Sequence, residues 1–535
     1  MDRYRILVSD NVHEQGVELL RQRELFQIDV KIGLSPDELK RIIGDYHGLV
    51  VRSATKATAE LIRSASQLKV IGRAGAGLDN IDVAEATRKG IVVMNTPGGN
   101  SMATAEHTLS LIMAACRHIP QAVESMKLGK WEKKKFQGRE VTGKTLGVIG
   151  LGRVGALVAK RASKGLSMHV LGYDPVTTPE AASQMGAKLA SIDEIIRKSD
   201  VITVHTPLNA ETRGLIDAAS FEKMKPGVIV VNCARGGIID EGALWDALES
   251  GKVAAAALDV FTESPPGDSK LVMHPRVVAT PHLGASTTEA QISVATAIAE
   301  QVIDYLENGL IRNAVNVPAI DPALRPKLTP YLDLARRLGQ FLAQLSPGKI
   351  SEMQVAYFGE IAHWEIKPVT NAALVGLLSR FAEPDVNDVN APLMAESHGV
   401  RVSETVSRES AFYGPSVGIR TQSSEGETVS VLGALIQRIG FEPRIIGIDE
   451  FVTEAVPAGA MLVVANRDVP GMIAGISGAL ARSGINIAQM NLSRDRIGGR
   501  AMSIINIDEP ANETTLDTIR RIEGILSVRQ VILEE

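Results

Sequence analysis

Three short clusters hold residue types whose spacing suits chemistry. The first is Gly150-Leu151-Gly152-Arg153-Val154-Gly155, which follows the apolar run TLGVIG and opens the stretch VGALVAKRA. Glycines at this spacing allow a tight turn, close approach of a pyrophosphate to the backbone, and close helix–strand contact. The helix N-terminus then offers unpaired N–H groups and a partial positive charge to phosphate. The next apolar run ends at Tyr173-Asp174, and 174 − 155 = 19 residues separate Asp174 from the last glycine. A carboxylate at that distance receives the adenosine ribose hydroxyls and repels a 2′-phosphate, which favours NAD over NADP. Without Asp174, the same glycines would read as an ordinary strand–helix turn.

The second cluster, Asn232-Cys233-Ala234-Arg235-Gly236-Gly237, follows the apolar run VIVV. Parallel α/β sheets build their sites at the carboxyl ends of such strands. An arginine there either grips a carboxylate through two parallel hydrogen bonds or stands as a surface charge on a loop. The third, Pro281-His282-Leu283-Gly284, follows RVVAT. His282 titrates near neutral pH and suits a general base or acid; a structural histidine after proline is the alternative.

These clusters need a scaffold, and the chain is long enough to supply several. Its 535 residues correspond to three or four domains at about 150 residues each. Apolar residues make 45%, charged residues 22%, and mean hydropathy is +0.07, a globular composition. Net charge is 57 − 62 = −5, which argues against a nucleic-acid or polybasic membrane role. Only Cys116 and Cys233 occur, which excludes a disulfide framework or a cysteine-based metal site and fits a reducing compartment. The first residues, MDRYRILVSD, lack a signal-type apolar region, and no apolar run reaches about 18 residues. The expectation is a soluble, cytoplasmic protein.

Along residues 5–100, RILVSD, FQIDVKIG, HGLVVRS and KVIGRAG read as strands between polar helical stretches, the pattern of a parallel α/β sheet. A second such pattern opens with the helix AEHTLSLIMAACRH and continues with TLGVIG, HVLGYD, VITVHTP, GVIVVNCA and VAAAALDVF. Residues 290–308 read as a helix stopped by Asn308-Gly309, crossing back to the first domain. Pro318, Pro322, Pro326 and Pro330 read as a linker or domain boundary, followed by a mixed domain with helices YLDLARRLGQFLAQL and VTNAALVGLLSRF, strand MQVAYFGEIA, and later strand–helix segments. AVPAG at 455–459 is a further boundary, and the remainder reads βαββαβ, a ferredoxin-like order. The predicted domains are 1–99 with 290–318, 100–289, 319–456 and 457–535.

Read together, GLGRVG, HTPLNAET, NCARGGIIDEGAL, ALDVF and TPHLGAST resemble the D-isomer-specific 2-hydroxyacid dehydrogenases. VRSATKAT, GRAGAGLDNID, NTPGGNSMATAEHT and GKWEKKKF resemble the long members of that family acting on phosphoglycerate. Those members carry an intervening domain and a C-terminal regulatory ACT domain. The likeness runs over 5–535 and is most specific over 50–290. It implies an α/β protein with a Rossmann-type doubly wound NAD domain, a discontinuous flavodoxin-like substrate domain, an α+β intervening domain and a ferredoxin-like ACT domain. It also implies oxidation of the C2 hydroxyl of D-3-phosphoglycerate by NAD to 3-phosphohydroxypyruvate, the entry step to serine.

By the same resemblance, Arg235 binds the substrate carboxylate and polarises the C2 oxygen, and His282 takes the hydroxyl proton. Gly150, Gly152, Arg153, Val154, Gly155, Asp174, Thr206, Pro207, Cys233, Ala234, Arg235, Asp259, His282, Gly284 and Ala285 match cofactor-contacting positions. Arg52, Ser53, Gly75, Ala76 and Asn100 match substrate-binding positions. Lys134 and Lys135, beside Trp131, read either as a solvated face or as a patch meeting the substrate's phosphate from a neighbouring subunit. In the last domain, Asp468 and Asn486 read as turn and cap residues or, by resemblance to ACT domains, as a site for L-serine. The likeness further implies paired cofactor domains and ACT domains joined side by side, hence a homotetramer.

One position departs from the family text Asp-Val-Phe-x-x-Glu-Pro. Here Asp259-Val260-Phe261-Thr262-Glu263-Ser264-Pro265 puts Ser264 where the glutamate partner of the catalytic histidine belongs. A hydroxyl orients an imidazole but brings no charge to stabilise imidazolium. Glu263, one residue early, is the alternative carboxylate. Two further readings follow: a dehydrogenase for another 2-hydroxy acid such as 2-hydroxyglutarate, and a catalytically weak NAD(H)-sensing module on the same fold.

Overall fold

The computed structural model of the chain describes residues 3–321, 323–379, 386–409, 414–437 and 441–533. Its first sheet is all parallel, in the order Phe26–Val30, Tyr4–Val8, Gly48–Val51, Val70–Arg73, Val92–Met94. This is the flavodoxin-like order 2-1-3-4-5. Helices cover both faces, so Ile6, Leu7, Val50, Val51, Val70 and Ile71 are fully buried. Burial on both sides is why these strands appear in the sequence as unbroken apolar runs.

The second sheet is also parallel, in the order Val277–Ala279, Val253–Leu258, Val228–Asn232, Val201–Val204, Thr145–Ile149, His169–Tyr173, Lys188–Leu189. The strand order reverses at Thr145–Ile149, which has His169–Tyr173 on one side and Val201–Val204 on the other. Doubly wound sheets hold their ligands at that reversal. The expected α/β class with a Rossmann-type sheet is what the chain forms.

Helix Thr288–Asn308 joins the two lobes. The Thr287 hydroxyl accepts from Ala290 N at its start, and Gly309 ends it in the left-handed conformation with φ 61°. Val294, Ala295, Ile298 and Val302 pack with Ile6, Val8, Val70 and Val92 in the core of the first lobe. The chain then pairs back onto that sheet, with Val315 N donating to Val93 O at 2.9 Å.

The proline stretch departs from the linker reading. Pro326 sits in the first turn of helix Arg325–Leu345 and Pro330 lies inside it, while Pro322 lies outside the described residues. Proline is tolerated in a first turn because its missing N–H would have no helical partner there. This helix and Lys367–Leu378 lie on one face of a six-stranded sheet ordered Arg401–Ser407, Ile350–Phe358, Ser416–Ser423, Thr428–Gln437, Phe441–Ile448, Phe451–Ala455. Positions 380 and 381 of the expected helix VTNAALVGLLSRF are outside the described residues. After residue 398 the described chain forms strands up to Ala455 rather than the expected strand–helix segments. Period-two burial, as in Ser416–Ser423, is the cause.

The last unit is a four-stranded antiparallel sheet ordered Ile487–Arg494, Arg500–Ile507, Gly459–Arg467, Ile525–Leu533, with helices Met472–Arg482 and Glu513–Arg520, the βαββαβ order expected. Leu462, Val464 and Ile505 meet its helices on one face. Met461, Val463, Ile504 and Val531 join the core under helix Arg325–Leu345 on the other. Among the described residues no helix is long and apolar enough to cross a membrane.

Because Ile298 is fully buried where the joining helix meets the first sheet, Ile298→Ala is expected to destabilise that lobe by about 2–4 kcal/mol. Denaturant unfolding of the full chain measures it.

Candidate active site

Both parallel sheets release their chains on the same cleft, which encloses about 680 Å³. Arg52 and Ser53 follow Gly48–Val51, and Arg73 and the loop Ala74–Gly77 end Val70–Arg73. From the other lobe come Thr206 and Pro207 after Val201–Val204, Cys233–Arg235 after Val228–Asn232, Asp259 after Val253–Leu258, and Pro281 and His282 after Val277–Ala279. Arg235 and His282, 47 residues apart in the sequence (282 − 235), line one wall system of this space. Asn100 stands at the N-cap of helix Ser101–Arg117 without using its side chain to cap, and it too lines the cleft.

Asp259 fixes the loop that carries His282. Its carboxylate is 1% exposed. It accepts from Leu283 N at 2.7 Å, Gly284 N at 2.9 Å and the Thr280 hydroxyl at 2.6 Å, and His107 Nε2 lies 3.1 Å away. Burial works against ionisation, but these partners outweigh it and hold the carboxyl below its usual range. The clamp keeps His282 in the left-handed region with φ 55°, uncommon for a non-glycine residue. Burial, the largest influence, pushes the His282 imidazole below its usual value; Asp259 and Asp79 oppose it, and Arg235 and Arg73 reinforce it.

Arg235 is gripped on two sides. Its Nε donates to Asp79 Oδ2 at 3.0 Å and its Nη1 to Ala234 O at 2.7 Å. Asn232 shapes this loop, donating to Arg235 O and accepting from Ala234 N. Across the cleft Asp10, buried beneath the first sheet's strand ends, accepts from Arg52 N at 2.6 Å and from Thr55 N and hydroxyl, which folds the Arg52–Thr55 turn. Sequence reading missed Asp10, Arg73, Asp79, Asn80 and His107. Arg73 had the same signal as Arg235, a cation closing an apolar strand. Burial first, then Arg235, pushes its pKa down to about 10, so it stays charged at neutral pH. His205 also lines the cleft, but burial lowers its imidazole to about 4, which makes it a poor base there.

The glycine turn fits a dinucleotide. A methyl on Gly155 would overlap the Gly150 carbonyl oxygen, and Gly150 has φ 96°. Arg153–Gly165 begins at Gly152 with no side-chain cap, leaving its N-terminal N–H groups open. Thr206 Oγ1 is buried without a protein partner. Asp174 accepts from Leu151 N, Val176 N and Thr177 N; burial opposes ionisation, and these bonds keep its carboxyl below the usual value. Arg153, Val154, Ala234, Gly284 and Ala285 all line the cleft. Cys233 is buried and its thiol pushed up to about 12, so it lines this wall as a small neutral group.

The remaining expected residues divide between the cleft and other places. Ser264 lines the cleft, whereas Glu263 is an exposed residue outside its lining. Lys134 and Lys135 belong to the exposed turn Lys133–Phe136, away from this chain's own cleft, with Lys135 Nζ 3.7 Å from Glu132. Asp468 is held by Arg494 Nη1 and Gly498 N, and Asn486 by Asp508, so the two are separately engaged.

Residues 109–284 match the NAD-binding domain of the D-isomer specific 2-hydroxyacid dehydrogenases, 327–449 the D-3-phosphoglycerate dehydrogenase intervening domain, and 460–524 the ACT domain. A D-3-phosphoglycerate dehydrogenase of Synechocystis sp. is 44% identical over 97% of this chain and 93% of its own. The enzyme of that name from Archaeoglobus fulgidus is 43% identical over 99% and 100%, and that of Homo sapiens 41% over 91% and 92%. The chain belongs to the D-3-phosphoglycerate dehydrogenase family. Its two parallel-sheet lobes also resemble solved structures. A glyoxylate reductase from Paecilomyes thermophila has TM-score 0.54 and 32% identity, covering 59% of this chain and 99% of its own. A D-lactate dehydrogenase from Aquifex aeolicus, complexed with NAD and lactic acid, has TM-score 0.52 and 26% identity, covering 59% and 100%. As a member of that family the chain is an NAD-dependent oxidoreductase with a C-terminal ACT domain.

Asp259→Asn places an NH2 group against backbone donors and is expected to cost about 2–4 kcal/mol at pH 7. The folded-state carboxyl is depressed, so its contribution is present above the unfolded value near 4 and fades as pH falls below it. Denaturation of parent and variant should therefore converge in acid.

Proposed function

We propose that Arg235 and His282 carry the NAD-dependent oxidation of D-3-phosphoglycerate to 3-phosphohydroxypyruvate, the first step of serine biosynthesis. The observation that carries this reading is one cleft lined by Arg153 and Val154 of the cofactor turn, Arg235 and His282, in a chain matching that family over nearly its full length. Gly150, Gly152, Gly155, Asp174 and Thr206 would hold NAD, which when bound accepts the hydride from C2. Arg235 pairs with the substrate carboxylate and faces the C2 oxygen, while His282 receives the hydroxyl proton. Alkoxide character grows at C2 as the hydride leaves, so a base and a cation together lower that barrier. Arg52, Ser53, Gly75, Ala76 and Asn100 line the substrate side.

The lowered His282 pKa keeps the ring neutral at pH 7, the form that accepts a proton. Reduction of the keto acid needs the imidazolium, and Ser264 brings it no charge. Ser264→Glu is expected to raise the His282 pKa by setting a negative charge beside the cleft. The alkaline limb of keto-acid reduction should move up correspondingly, with about tenfold more rate at pH 8. His282→Asn and Arg235→Lys are each expected to lower kcat/KM by about 10²–10³. NADH consumption with 3-phosphohydroxypyruvate tests the assignment. Tight NADH binding without turnover would make the chain a sensing module, and a preference for 2-oxoglutarate would move it to another 2-hydroxy acid.

For assembly, the exposed apolar side chains Met102, Ile119, Val123, Met126, Leu128 and Trp131 support pairing of two cofactor lobes. Trp131, 80% exposed, is the anchor. Lys134 and Lys135 follow it in sequence, and such pairing would bring them toward the partner's cleft to meet the substrate phosphate. ACT domains joined side by side complete a cytoplasmic homotetramer, in which L-serine binding at Asp468 and Asn486 requires them to exchange their present partners. Met126→Asp with Trp131→Asp is expected to halve the particle mass in sedimentation and to raise the KM for the phosphorylated substrate.

A further inference from the structure

The cleft holds a carboxylate that the reaction above does not use. Asp79 follows the substrate-side glycine loop, and its side chain is 67% exposed. It reaches across to Arg235 of the other lobe, accepting from Nε at 3.0 Å. A methyl on Gly77 would overlap Arg235 Nη2 and stand 2.9 Å from Asp79 Oδ2, so the pair lies directly over that glycine. The loop is fixed by the next residue: Asn80 donates to Arg52 O at 2.7 Å and Thr55 O at 2.6 Å and accepts from Arg73 Nε at 3.1 Å. Asp79 therefore projects from a tied turn.

The geometry also says which edge of Arg235 stays available. A guanidinium has five N–H donors in a planar fork. Asp79 takes the Nε proton and Ala234 O takes one from Nη1. Three remain, 5 − 2, one on Nη1 and two on Nη2, enough for a carboxylate to accept two bonds. Asp79 is bonded at Nε, so it orients the fork while Nη1 and Nη2 each keep a donor. Resting on the reading above, we propose that Asp79 is a positioning residue that aims Arg235 at the substrate carboxylate and sets its own negative charge opposite His282. In this chain that charge matters more, because position 264 offers none. The charged groups facing His282 are Asp259 from its own lobe's strand end, Arg235 from the neighbouring loop, and Arg73 and Asp79 from the opposite lobe.

The test compares Asp79→Ala and Asp79→Asn with the parent in NADH-dependent reduction of 3-phosphohydroxypyruvate across pH. Asp79→Ala is expected to lower kcat/KM by about 10- to 100-fold, mostly through KM, with NADH affinity unchanged. Asp79→Asn keeps an acceptor for Nε and should recover KM to within about threefold. Both remove the charge, so both should move the alkaline limb of reduction to lower pH by about half a unit or more. A merely structural role would leave that limb in place in Asp79→Asn. Equal KM and equal pH profiles in parent and variants overturn the proposal, as does a lowered KM in Asp79→Ala, which would make Asp79 a competitor of the substrate. A parent without turnover overturns the functional reading together with this role; a parent with turnover and unchanged variants overturns this role alone.

Discussion

In a parallel sheet every strand delivers its following loop to the same edge, and two such sheets here turn that edge toward each other. The residues of the cleft are therefore gathered from strand ends of both sheets, from Arg52 to His282. What the sheets leave undecided is the conformation of each loop, and two buried carboxylates and one half-buried amide settle it. Asp10 folds the Arg52 turn, Asn80 ties that turn to the Arg73 loop, and Asp259 clamps the loop of His282. Each satisfies backbone donors or acceptors that would otherwise be stranded away from water.

Charge in the cleft follows from this packing. Arg52, Arg73 and Arg235 converge with His282, against Asp79 and the buried Asp259. An excess of cations suits a doubly anionic substrate class and simultaneously disfavours a protonated imidazole. Ser264, which lines the cleft, brings no charge against that tendency, so Asp79 and Asp259 are the carboxylates that oppose it.

The strands and the helices of both parallel lobes were legible because burial on two faces leaves continuous apolar runs, and the cofactor turn because only glycine fits at Gly150 and Gly155. Strands as short as Lys188–Leu189 and Val92–Met94 were not, since two or three residues hold no periodicity. Pro326 and Pro330 misled because proline marks a helix start as well as a linker. Arg235 and His282 stood out by type and position. Asp10, Asn80 and His107 did not, because a positioning group is defined by distant partners: Asp10 and Thr55 are 45 positions apart, Asp259 and His107 152.

The chain passes between the two sheets at only two places, near Gly98–Ser101 and near Ala285–Thr288, and both passages border the cleft floor. Two rigid bodies tethered at two points rotate about the line through them. Opening would be a one-axis swing, and the pivot itself holds Asn100 and Ala285. Linear displacement in such a swing is smallest at the pivot and grows toward the rim, where Asp79 meets Arg235. The contact most sensitive to such a swing is thus the ion pair that joins the two lobes.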